Sequence, residues 1–112
     1  MHTKNTERPD RRGIMNAAWA IARRTGRTLA AALRTAWRES KLKAKLAAGT
    51  AYFSYLTKDN GIRVAKGTLR EDAITYVPNG RGRPTPAHLL LYWDLDRGAY
   101  RSFDRANLLM VA

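Results

Sequence analysis

The sequence has no cysteine. That excludes disulfides, thiolate metal sites and cysteine nucleophiles. Histidine is nearly as scarce, at two residues: His2 falls in a tail expected to be disordered, and His88 starts a strand, where a structural role is more common than a ligand role. Acidic side chains number only nine against 21 Lys plus Arg, and no two carboxylates have a spacing that suggests general acid/base work. The serines Ser40, Ser54 and Ser102 lie in no nucleophile signature. Asp94, Asp96 and Asp104 could meet near one turn as in a nuclease, but strand-end aspartates most often serve turns. The residues therefore point to a non-enzymatic protein with no cofactor and no metal. No apolar run approaches the roughly 20 residues of a membrane span, and "MHTKNTERPDRR" has no apolar core of a leader peptide. A cytoplasmic, non-membrane protein is expected.

What is present is positive charge. The formal net charge is +12 on 112 residues, well beyond the magnitude of about 2 to 8 suggested for small domains. Such a field attracts polyanions, and DNA, RNA or a nucleoprotein complex is the expected partner. The charge is uneven: residues 1–49 hold twelve basic and three acidic side chains (+9), and residues 50–112 hold nine and six (+3).

The pattern also changes at Gly49. Before it the apolar period is helical. A first helix is expected from about Gly13 or Ile14 to Arg24, with Gly26 as its stop. Thr28 should cap a second, over about Leu29 to Ala47, with Leu29, Leu33, Ala36, Trp37, Ser40, Ala44 and Ala47 as its apolar stripe and Gly49 beyond its end. Beside that stripe Arg34, Arg38, Lys41 and Lys45 align within about 60° as one basic ridge. A solvated face is the ordinary reading of such a ridge. Only Glu39 is on hand to interleave with it, however, which favours phosphate contact. Trp19 and Trp37 are assigned to the seam between helices and barrel.

After Gly49 the period is two. "TAYFSYLT" and "IRVAKGTL" flank "KDNG", an Asn-Gly hairpin signal. "HLLLYWDL" and "AYRSF" form a second hairpin, "DRAN" suits one helical turn, and "LLMVA" is a last short strand. This order predicts an α+β fold: a helical hairpin (13–49) packed on a small five-stranded SH3-like β-barrel (50–112), after a flexible basic tail (1–12), all as one compact unit. Trp93 and Phe103 are expected in the core. Most of the other strand aromatics should join them, and some should face outward beside a basic groove.

Between the hairpins, three of the four prolines fall in a loop with a basic segment at 78–87. Ile74–Val77 there could add an edge strand. Arg81-Gly82-Arg83-Pro84 is the core tetrapeptide of an AT-hook, whose arginines lie in the minor groove. Because both ends of this loop are anchored by strands, Arg81 and Arg83 are read as a basic loop touching phosphates or a groove.

The run "GIRVAKGTLRED", "GRGRPTP" and "LLYWDLDRGAYRSFDRANLL", over residues 50–110, resembles bacterial and mobile-element SH3 β-barrel fold-containing proteins of unknown function. "TLAAALRTAWRESK" is similar to the helical start of phage and plasmid accessory proteins. The resemblance implies a fold and a genetic neighbourhood. Tyr100-Arg101-Ser102-Phe103 is also similar to a strand of WYL domains, from which the chain departs in lacking a Trp-Tyr-Leu run. That likeness implies fold alone. The expected function is a nucleic-acid-binding accessory protein of a phage, plasmid or integrated element. The alternative is a protein-binding, anti-defence (anti-CRISPR-like) inhibitor, or a subunit docking on a host nucleoprotein complex.

Overall fold

Helix α1 spans Arg11–Thr25 because the Asp10 carboxylate accepts a hydrogen bond from the Gly13 N–H (3.1 Å) and so satisfies an end donor. Arg11 and Arg12 thus already belong to the helix, earlier than the pattern suggests. The helix ends at Gly26, whose left-handed φ of 76° sends its N–H back to the Ala22 carbonyl. Helix α2, Leu29–Ala48, starts with the Thr28 hydroxyl accepting from the Ala31 N–H and closes with the Gly49 N–H on the Lys45 carbonyl. The computed structural model describes residues 10–74 and 85–112.

The buried face of α2 is Ala32, Thr35, Ala36, Glu39, Leu42 and Leu46. This is about a third of a turn away from the expected stripe. Of that stripe only Ala36 is buried; Leu29 and Leu33 are half-buried, and Trp37, Ala44 and Ala47 are exposed. The cause is that α2 serves two neighbours. Ala32 and Ala36 meet Ile14, Ala18 and Ile21 of α1, where small side chains permit close approach, and Leu42 and Leu46 enter the core of the sheet. Glu39 can be buried among them because Arg105 and Lys43 both pair with its Oε2. The tryptophan seam is overturned as well: Trp37 lies off the buried face of α2 and Trp19 off the Ile14, Ala18 and Ile21 face of α1, and they are 44% and 45% exposed.

The strands are β1 (Ala51–Leu56), β2 (Ile62–Thr68), β3 (Leu89–Asp94), β4 (Ala99–Asp104) and β5 (Leu108–Val111), in the spatial order β4-β3-β2-β1-β5. All neighbours are antiparallel. The first hairpin does not use a two-residue Asn-Gly turn. Thr57–Gly61 form a longer loop in which Asn60 alone is left-handed (φ 67°), tied by the Thr57 N–H to the Gly61 carbonyl (2.8 Å). A 3₁₀ turn, Glu71–Ala73, follows β2, and Ile74 is not in a strand; the rest of the expected edge strand lies outside the described residues.

Inward side chains Phe53, Tyr55, Tyr92 and Phe103 form one aromatic cluster, in which Tyr55 and Phe103 stack at 4.4 Å and the Tyr55 and Tyr92 hydroxyls share a buried hydrogen bond of 2.8 Å. Trp93 is buried too, edge-on to Tyr100. A second 3₁₀ turn, Arg105–Asn107, joins β4 to β5 where the helical turn was expected. It places Ala106 in the core of the helical pair, while Leu108 enters the core of the sheet.

Candidate nucleic-acid interface

Three of the four ridge residues keep their side chains available. Arg34 and Lys41 are exposed and Lys45 is half-buried, and none has an ion-pair partner among the described residues. Arg38 differs, because its guanidinium donates to the Leu108 carbonyl at 3.1 Å and so fastens the ridge to β5. Trp37 stands three residues after Arg34 and four before Lys41, hence on the same helical side, and is exposed. The rotation of α2 thus turns an expected core ring into a surface ring beside three cations. Arg81 and Arg83 lie outside the described residues.

Among the described residues no carboxylate pairs with Arg34, Lys41 or Lys45, and most of the carboxylates serve the fold elsewhere. Asp10 caps α1, Glu39 is held by Arg105 and Lys43, Asp72 pairs with Arg70, and Asp94 pairs with Arg101. Asp104 binds Arg24 through both oxygens, at 2.8 Å each, and accepts the Ala106 N–H. Burial pushes the Asp104 carboxyl up. The Arg24 hydrogen bonds, the Ala106 N–H, and the charges of Arg24 and His88 outweigh this and hold it below the usual carboxylate range. Asp94 also accepts the N–H groups of Asp96 and Arg97, so the strand-end aspartates serve turns.

A second basic feature escaped the pattern reading. β2 and β3 pair only at Gly67–Asp94 and Thr68–Trp93, and from there the strands diverge. In the opening lies a cleft of about 410 Å³, with Lys58, Arg63, His88, Arg101, Ser102 and Asn107 among its lining. Arg63 lies opposite Tyr55 and Arg101 opposite Tyr92, both of them buried core rings, so both arginines hold core-facing positions. On β2 the alternation is inverted: Arg63 points inward, while Ile62 and Val64 are 67% and 79% exposed. Counting back by twos from Gly67, or from Phe103, is the signal that could have found these arginines.

Among the described residues no helix is long and apolar enough to cross a membrane, and no group of three or more His, Asp or Glu is placed to hold a metal ion. No curated protein and no solved structure matches the chain. Residues 39–109, from the buried turn of α2 to β5, match the family model WYL_2, described as a Sm-like SH3 β-barrel fold, and the chain belongs to that family.

Proposed function

We propose that this protein is a non-enzymatic nucleic-acid-binding protein that engages the phosphate backbone through the α2 ridge. The observation that carries this reading is the set Arg34, Lys41 and Lys45 on one rigid element, free of carboxylate partners among the described residues, with exposed Trp37 beside them. Cations fixed on a helix lose little freedom on binding, and an adjacent indole offers a surface on which a base can stack. Arg81 and Arg83 would add a groove or backbone contact, and Arg38 would act from α2 while its guanidinium holds the Leu108 carbonyl of β5. The resemblance of the helical start to phage and plasmid accessory proteins supports a role on a mobile element.

The test is salt dependence. Removing one cation that neutralises a phosphate lowers the log-log slope by about 0.9 on duplex DNA or 0.7 on a single strand. Changing Arg34, Lys41 and Lys45 together to Gln should flatten it by roughly 2 to 3 units, and Arg81 with Arg83 by at most about 2. Unchanged affinity and slope in the helix variant would remove the ridge from the interface.

A second reading, a protein-binding inhibitor of the anti-defence type or a subunit docking on a host nucleoprotein, is favoured by one feature. The outward face of β2, β1 and β5 exposes Val64 (79%), Ile62 (67%), Met110 (63%) and Tyr52 (53%), with Val64 and Met110 both opposite Ser54. Contiguous apolar faces of this kind mark protein contacts. Binding insensitive to salt and abolished in Val64→Asp would support it.

A further inference from the structure

We propose that the cleft between the β1–β2 hairpin and the β3–β4 hairpin is a binding site for a nucleotide bearing a terminal phosphate, with Arg63 and Arg101 as the phosphate clamp. The proposal deepens the nucleic-acid reading and uses residues distinct from the helix ridge.

The first argument is position. A core-facing site on an alternating strand ordinarily holds an apolar side chain, since a buried charge without a partner is costly. Here two such sites hold arginine. They stand opposite Tyr55 and Tyr92, at the place where the sheet opens and leaves the barrel interior accessible. Closing this end would have called for apolar residues, and Ile62 and Val64 on the same strand instead point out to solvent.

The second argument is charge. Lys58, Arg63 and Arg101 line the cleft with His88, and Asp104 is the only carboxylate of its lining among the described residues. Its two oxygens are already taken by Arg24 and the Ala106 N–H. Arg101 is oriented by Asp94, a buried carboxylate 3.4 Å from its Nε that is itself held by the Asp96 and Arg97 N–H groups. Arg63 makes no salt bridge among the described residues, and the carboxylate that feels its charge is the exposed Asp59 of the hairpin loop, outside the cleft lining. An anion with several acceptor oxygens matches two guanidinium forks better than a single carboxylate does.

The third argument is shape. About 410 Å³ exceeds what a phosphate fills and lies within the ~300–1,000 Å³ usual for small-molecule sites. Tyr55, Phe103, Leu56 and Leu89 supply apolar wall for a flat ring, and Ser102 and Asn107 supply polar atoms for its edge or sugar. A phosphate joined to a nucleoside fits this combination. The unit could be a free nucleotide or the 5′ end of a strand, which present the same chemistry.

The experiment is titration of the full chain with four probes: a nucleoside 5′-monophosphate, the same nucleoside, and one short single-stranded oligonucleotide with either a 5′-phosphate or a 5′-hydroxyl. The monophosphate should bind at least about tenfold more tightly than the nucleoside, and Arg63→Gln should remove that preference while leaving the thermal midpoint unchanged. Arg101→Gln should also remove the preference but lower the thermal midpoint, because it takes the ion-pair partner from buried Asp94, so Arg63, which makes no salt bridge among the described residues, is the decisive variant. A strand end as the natural ligand predicts the same preference between the two oligonucleotides; a free nucleotide predicts preference for the mononucleotide alone. Equal binding of monophosphate and nucleoside, or a preference that survives Arg63→Gln, overturns the proposal even if salt-dependent strand binding through α2 persists. Conversely, loss of strand binding with retention of the Arg63-dependent phosphate preference would sustain the cleft and reject the ridge.

Discussion

Arg24 and Asp104 face each other with both guanidinium–carboxylate distances at 2.8 Å, which ties the last turn of α1 to the end of β4 across 80 residues of sequence. Because Asp104 titrates below its ordinary value in the folded chain, it contributes stability above the unfolded pKa of about 4, and that contribution disappears as pH falls through the folded value. Asp104→Asn should therefore melt at a lower temperature than the parent at pH 6. The two should converge as pH falls from about 5 through the folded value. A constant difference in melting temperature across that range would show that the charge of Asp104 is not what matters.

The shared hydroxyl hydrogen bond of Tyr55 and Tyr92 makes a double-mutant prediction. Tyr92 is fully buried, and its phenol is held far above the ordinary tyrosine range by burial first and by the Tyr55 hydroxyl second. Removing one hydroxyl leaves the other buried without its partner, at a cost of about 1 to 3 kcal/mol. Tyr55→Phe with Tyr92→Phe should cost less than the two single changes added together, as read by denaturant unfolding. Strict additivity would mean that a water or another group takes over the lone hydroxyl.

Gly67 is required by that same ring. A methyl group there would sit 2.6 Å from Cδ2 of Tyr92 and 3.2 Å from the Trp93 carbonyl, on the strand that pairs with Ala51. Gly67→Ala should destabilise by about 1 to 3 kcal/mol, as overpacking does in rigid cores. An unaltered denaturation midpoint would show that Tyr92 can shift without penalty.

The buried and the exposed tryptophan should separate cleanly. Trp93→Ala should cost about 3 to 5 kcal/mol, since the ring is 3% exposed. Trp37→Ala, at 44% exposure, should cost no more than about half as much and should weaken nucleic-acid binding. Equal losses of stability with intact binding would return Trp37 to a purely structural role.

The parts of this fold that are legible in the sequence rest on local chemistry. Thr28, Gly26 and Gly49 act within a few residues of themselves, and the period-two runs of β1 and β4 carry their own phase, so the caps, the order of the strands along the chain and the burial of Phe103 follow from short windows. The face of α2 is not legible, because its burial depends on a partner 66 residues away. Glu39 reads as a surface acid until Arg105 is brought to it. With Glu39 counted as polar and alanines spread around the helix, Leu29, Leu33 and Trp37 suggest a plausible but rotated stripe. The ridge Arg34, Lys41 and Lys45 is legible nonetheless, because it flanks the true buried face on its other side. Arg63 and Arg101 escape as a pair because inward arginines contradict the rule by which strand faces are assigned. The similarity of Tyr100-Arg101-Ser102-Phe103 to WYL domains implies fold alone, and the family to which the chain belongs carries that relationship in its name.

The position of Ala106 in the helical core and Leu108 in the sheet core bears on how the chain acquires its shape during synthesis. The helical pair is translated before the strands, yet one wall of its interior is supplied by Ala106, nearly sixty positions after α2 ends, and Arg27 likewise waits for the Ala106 carbonyl. Domains ordinarily fold as units in the order in which they leave the ribosome. Here α1 and α2 would emerge with that wall open, and a chain arrested before residue 106 should expose the Ile14, Ala18 and Ile21 surface to chaperones and proteases. Completion of both cores falls to the same few C-terminal residues, so the nascent protein passes from vulnerable to protected in one late step.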